Sequence, residues 1–208
     1  MAIYLTTAYL PPIEYFSKLA SVDDIYIEKY ENYTKQTYRN RCAIMSANGI
    51  MPLSIPVEHS KAEKCLTKDM RIASHGNWQH THWNAIVSAY NSTPFFEYYQ
   101  DDFYPFYHNS YKYLFDFNEE LRILICSILN INSERIKYTE SYEKELQSPD
   151  KDYRDIIHPK KDWKIHDIEF IPYPYYQIFS QKFGFTPNLS IIDLLFNMGN
   201  ESIIVLTK

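Results

Sequence analysis

Glycine is nearly missing from this chain, with four residues in 208. With so few, neither a phosphate-cradling P-loop nor the Gly-x-Gly-x-x-Gly dinucleotide turn can be written anywhere in it. Cysteine is as scarce. Cys42, Cys65 and Cys126 lie far apart, without the paired spacing of a metal site or the density of a disulfide framework, so reduced thiols are expected. Long apolar runs are absent too: no stretch approaches the roughly 18 residues of a membrane span. The opening Met1-Ala2-Ile3-Tyr4 lacks the basic start of a signal peptide, and the expectation is a cytoplasmic chain with no membrane span. Positive charge is also short, since 21 Lys and Arg face 26 Asp and Glu for a formal net charge of -5. That denies the chain the broad basic field on which nucleic-acid affinity rests, and no nucleic-acid partner is expected.

What is present is aromatic. Phe, Trp and Tyr make up 17% of the chain, with 20 Tyr, and tyrosine suits amphipathic clefts because it buries a ring while keeping a hydroxyl for a partner. Hydrophobic content of 45% and charged content of 23% are those of a globular protein. Without repeats or Gly/Ser linkers, a single domain over residues 1–208 is expected, with a charged, mobile excursion at 140–164. Ile3-Tyr4-Leu5 reads as a strand, Pro11-Pro12 as the first turn of a helix through Leu19, and Ile25-Tyr26-Ile27 as a second strand. This β-α-β unit would place the Tyr9–Pro12 loop at a strand's carboxyl end, where open α/β sheets bind ligands. The middle reads as helical: Trp83, Ile86, Val87 and Tyr90 in one helix, Thr93-Pro94 opening the next, and Asn118 opening a buried central helix. A C-terminal helix from Ser190 to Gly199 returns to the sheet, completing a mixed α/β fold.

Residues 37–57 read as a hairpin. A two-residue Asn48-Gly49 loop would put Pro52 and Pro56 where they must donate to the ladder, so a four-residue loop, Ala47 to Ile50, is expected, with Ile44 opposite Leu53. On the other face Arg39 would stand across from Glu58 and Arg41 across from Pro56, with Lys35 on the same parity. Three cations on one face repel unless an anion or carboxylates compensate them, and the arginine fork suits phosphate or carboxylate. The plainer alternative is a solvated face with Arg39 paired to Glu58. His75, His80 and His82 lie near Trp78 and Trp83, but His80-Thr81-His82 points two rings to different faces, and no metal site is expected. Ser190-Ile191-Ile192-Asp193 matches a helix capping box, which is the favoured reading; the alternative is Asp193 as a general base.

The runs Tyr9-Leu10-Pro11-Pro12-Ile13-Glu14-Tyr15-Phe16, Lys35 with Arg39-Asn40-Arg41, Leu53-Ser54-Ile55-Pro56-Val57, Trp83, and Leu189 through Gly199 resemble the WbqC-like protein family in order and across almost the whole chain. The resemblance implies a role in surface-polysaccharide synthesis of the O-antigen or capsule type. It suggests transfer of a glycyl or other acyl group to an activated sugar; the alternative is a non-catalytic accessory protein that binds a glycan or nucleotide. The small-molecule partner would be a sugar or nucleotide-sugar, and no cofactor is indicated. On this reading Tyr9, Tyr15, Lys35, Arg39, Asn40 and Arg41 are the substrate-binding candidates, and Asp193 and His82 the catalytic ones.

Overall fold

The computed structural model describes residues 1–58 and 64–208. The expected β-α-β unit is present: β1 (Ile3–Thr6), α1 (Ile13–Ser21) and β2 (Ile25–Glu28), with the two strands parallel and Ile3 opposite Ile25. Along each strand alternate residues go to opposite faces. Ile3, Leu5, Ile25 and Ile27 enter the core that Phe16 and Leu19 of α1 share, while Tyr4 and Tyr26 stack on the other face with ring centres 5.1 Å apart. Pro12 stands at the N-cap of α1, where its missing N–H costs nothing.

The hairpin forms between β3 (Arg41–Ser46) and β4 (Gly49–Ser54), with a register two residues away from the one expected. Ser46 pairs with Gly49, Ile44 with Met51 and Cys42 with Leu53, so Ala47 and Asn48 alone make the loop. The faces are unchanged by an even shift. Pro52 stands opposite Ala43, and Ile55 N–H donates to Asn40 O at 2.8 Å, which by the alternation of antiparallel pairs leaves Pro52 at a non-bonded position. Lys35 and Arg39 are not on the strand: both lie in the irregular segment ahead of Arg41, so no common strand face carries the three cations.

The middle helices are α2 (Trp78–Tyr90), α3 (Phe96–Phe103) and α4 (Leu114–Ile128). Thr93 closes α2, donating its hydroxyl to Tyr90 O at 2.6 Å, and does not open α3, which begins two residues beyond Pro94. Asn118 lies one turn inside α4, where its amide donates to Arg39 O at 2.8 Å; Ile123 faces solvent, so α4 is buried on one side only. Next come β5 (Ile136–Tyr138) and β6 (Lys151–Asp152), which complete a parallel sheet in the order β5-β2-β1-β6. The charged stretch 140–164 thus supplies an edge strand, and Tyr153, Arg154 and Ile157 after it are buried. Short helices α5 (Trp163–His166) and α6 (Ser180–Phe183) precede the buried α7 (Ile191–Met198), and α8 (Ser202–Leu206) ends the fold. The two ends of the chain meet: Ile13 N–H donates to Leu189 O, Ile191 N–H to Pro11 O, and Ser190 N–H to Ala43 O, which stitches α7's start between the Leu10–Ile13 loop and β3.

Candidate functional site

The strand order changes direction at β1, with β2 and β5 on one side and β6 on the other. In open parallel sheets ligands bind outside the carboxyl ends of the strands at such a point. Here those ends carry a network of buried charge. Glu28, the last residue of β2, accepts from Tyr30 N–H, from the Thr139 hydroxyl at 2.9 Å and from Arg154 Nη1 at 3.3 Å, and Arg154 forks onto Asp152 at 2.9 and 2.6 Å. Thr6, at the end of β1, donates to Glu31, which Arg39 grips with Nε at 2.8 Å and Nη2 at 2.6 Å. Thr7 donates to Glu119, which is held in turn by Arg122. Each of these buried cations faces a carboxylate, the condition under which charge survives away from water.

The candidates divide sharply. Arg39 is committed to Glu31, not to Glu58, and Lys35 is exposed. Asn40 donates to Ile55 O, while its own carbonyl oxygen is buried without a partner. Arg41 is half-buried at the first position of β3. Its Nε is buried with no hydrogen bond, and it enters no ion pair among the described residues. The Tyr33 hydroxyl is also buried without a partner; burial pushes its pKa up to about 12, with the charges of Arg39 and Arg41 pulling the other way. From beyond β6, Lys160 donates to Gln36 and so joins the turn at 158–161 to the segment ahead of β3. His158 accepts from Lys160 N–H, and burial, Lys161, Arg39 and Lys160 hold its pKa below the ordinary histidine value.

Tyr9 N–H donates to Tyr38 O at 2.8 Å, so the Tyr9 loop does lie against the 29–40 segment. Its side chain, however, points inward: the hydroxyl bonds His82 Nδ1 at 2.9 Å and the Tyr107 hydroxyl at 3.0 Å. His82 is buried, and desolvation lowers its pKa to about 4, so the ring is neutral near pH 7. Tyr15, equally buried, donates to Thr6 O. Asp193 is 1% exposed, with one oxygen taken by the Tyr90 hydroxyl at 2.9 Å and the other by Tyr175 at 2.6 Å and Gln177 at 3.0 Å. Burial raises its pKa against the pull of these three donors. The capping box does not form, because the Ser190 hydroxyl donates to Leu10 O and makes no cap bond. Among the described residues no group of three or more His, Cys, Asp or Glu is placed to hold a metal ion.

Sequence reasoning missed Glu28, Glu31, Tyr33, Arg154 and His158. The acid ending Ile25-Tyr26-Ile27-Glu28 could have been found from the carboxyl-end rule; Arg154 could not, since a two-residue strand leaves no periodicity to read. A family model described as the WbqC-like protein family matches residues 7–157 and 150–205. The chain is also 27% identical, over 223 aligned positions, to the uncharacterized protein Rv1507c of Mycobacterium tuberculosis, an alignment that covers 93% of this chain and 92% of that one. No solved structure matches.

Proposed function

Since the chain belongs to the WbqC-like protein family, we propose that it serves surface-polysaccharide assembly by binding an anionic sugar derivative, of the nucleotide-linked class, beside the carboxyl ends of β1 and β6. The observation that supports this reading best is Arg41. A half-buried guanidinium with an unbonded Nε, in the electrostatic range of an unbonded Tyr33 hydroxyl, offers donors for oxygen acceptors, and a phosphate supplies them. Arg39, Asn40 and Tyr9, each bonded within the fold, act from behind as the frame that holds the segment. A cytoplasmic setting goes with such a ligand.

The binding reading is favoured over glycyl or acyl transfer to the sugar by the surroundings of the two catalytic candidates. A general base must come within hydrogen-bond reach of the group it deprotonates, and Asp193 and His82 are both spent inside closed interior networks. The test is a thermal-shift and calorimetric titration with nucleotide-sugars and sugar phosphates. A ligand at 100 times its Kd stabilises by about 2.7 kcal/mol, which for a chain of this size is a Tm rise of about 5 to 10 °C. Arg41→Ala should remove the rise, and Arg41→Lys should restore only part of it, because an ammonium lacks the fork. Equal binding by the alanine variant would refute the assignment.

A further inference from the structure

The stretch from α5 to Ile171 lies against α1 as a strap with empty space on both sides. One cavity, of about 220 Å³, is bordered by Ser17, Lys18, Phe170 and Ile171, and another, of about 260 Å³, by Ile156, His166, Asp167 and Ile168. Phe170 is buried, but Ile165, Ile168 and Ile171 all face water, so the strap has little apolar packing to hold it. Segments of that kind open at the low end of the stability range. Its charged anchors are two. Glu169 takes Lys151 and the Tyr153 hydroxyl at the surface, where an ion pair contributes little. Asp167 is buried, and Lys18 Nζ of α1 holds its two oxygens at 3.0 and 2.8 Å.

Asp167 has a competitor for that lysine. Glu14 lies four residues before Lys18 on the same face of α1, the order and spacing at which a glutamate and a lysine pair best. Its Oε2 accepts from the Asn188 amide, while Oε1 is buried without a partner. Asp167 repels the Glu14 carboxylate and Lys18 attracts it. Tyr38, from the segment ahead of β3, and Tyr153, after β6, are the other titratable groups in its range, and burial pushes both hydroxyls up, so they stay protonated near neutrality. We propose that Lys18 is a two-position latch: with Glu14 protonated it holds Asp167 and the strap is closed, and with Glu14 ionised it turns to Glu14, frees Asp167 and lets residues 162–171 swing away from α1. The proton passes to water and Lys18 keeps one carboxylate partner in either state. Glu14 is held at about 7 in the closed strap against an ordinary 4.5, so opening rises with pH between those values and levels off above 7.

Hydrogen exchange of the full chain, followed by mass spectrometry at about pH 5 and about pH 7.5 and corrected for the intrinsic pH dependence of exchange, tests the latch. The peptide to watch carries the hydrogen-bonded amides of Ile165, His166, Asp167 and Phe170, since a helix as short as α5 does not persist once detached. Its protection should fall at least about tenfold between the two conditions, because each pH unit inside the window shifts the opening equilibrium by up to about tenfold. Amides of β1 and β2 should keep theirs. Glu14→Gln should hold the strap protected at both pH values, because a neutral amide does not draw Lys18 away. Should that variant fail to fold, Asp167→Asn serves in its place: a strap without its anchor is poorly protected at both. The proposal is overturned if the wild-type strap is equally protected at the two pH values, if either variant keeps the wild-type change, or if β1 and β2 lose protection in step with the strap.

Discussion

At the scale of single residues, the interior carries two titrations of opposite sign. Burial pushes Glu14 up to about 7 from an ordinary 4.5; Asp167 adds to the shift as a like charge and hydrogen-bond partner, while Asn188 and Lys18 oppose it. Glu14 Oε1 is buried without a hydrogen-bond partner, whereas Asp167 is held by Lys18 Nζ at 2.8 and 3.0 Å, so it is Glu14 that burial drives toward its protonated form. With the folded value above the unfolded one, this contribution to stability is complete below pH 4.5 and is lost as pH rises through 7, on the order of 3 kcal/mol. His82 runs the other way. Its folded pKa near 4 lies below the ordinary 6.5, so its contribution is complete above 6.5 and is lost as pH falls through 4. Between pH 4.5 and 6.5 the two slopes offset one another in the wild-type chain. Denaturant unfolding over that window should show stability rising with pH in Glu14→Gln and falling with pH in His82→Gln. Asp193 gives a further test, because its two oxygens accept from three donors; Asp193→Asn turns an NH2 group toward at least one of them. The cost should be about 2 kcal/mol, or a Tm lower by about 4 to 8 °C.

At the scale of elements, the hairpin shows how a sound constraint can admit two solutions. Keeping Pro52 off the ladder excludes an Asn48-Gly49 loop, but a loop of Ala47 and Asn48 satisfies it as well as the four-residue one. What distinguishes them is the backbone of Gly49, which closes the turn at φ +107°, where residues with a Cβ are strained. Space is open around that position, so Gly49→Ala should cost about 1 kcal/mol through backbone strain alone, seen as a lower denaturation midpoint with an unchanged m-value. Two helix starts, at Thr93 and Asn118, were misplaced, and Ser190, which does stand at the N-cap of α7, makes no cap bond, for a related reason. All three have cap-forming side chains, yet each donates to a backbone carbonyl: that of Tyr90, Arg39 and Leu10 respectively. A polar side chain reads as a cap in sequence because nothing local reveals that a distant carbonyl needs a donor.

At the scale of the molecule, the carboxyl ends of β5, β2 and β6 are tied through Thr139, Glu28, Asp152 and Arg154. Arg154 spans β2 and the edge strand β6 through Glu28 and Asp152, with the Tyr4 ring at 5.9 Å and the Tyr142 ring at 5.1 Å. Arg154→Met would leave Glu28 buried without its cation, a loss of about 3 to 5 kcal/mol. Equilibrium unfolding should report it, and the double variant Arg154→Met/Glu28→Gln should recover part of the loss.

The sequence alone determined the β-α-β opening, the hairpin and its faces, the buried returning helix and the family, because each rests on local periodicity or on short runs of residues in order. It also singled out Arg41 as a candidate. Which of its companions share that site was decided only by tertiary structure. Lys35 and Arg39 read alike beside Arg41, yet Arg39 is held by a glutamate eight residues earlier and Lys35 stands in solvent. His82 and Asp193 carry suitable chemistry, yet the packing of α2 and α7 closes their partners around them. Burial and the choice of hydrogen-bond partner depend on residues distant in the chain, so the folded arrangement, and not the type of side chain, decides which of these groups is left free to meet a ligand.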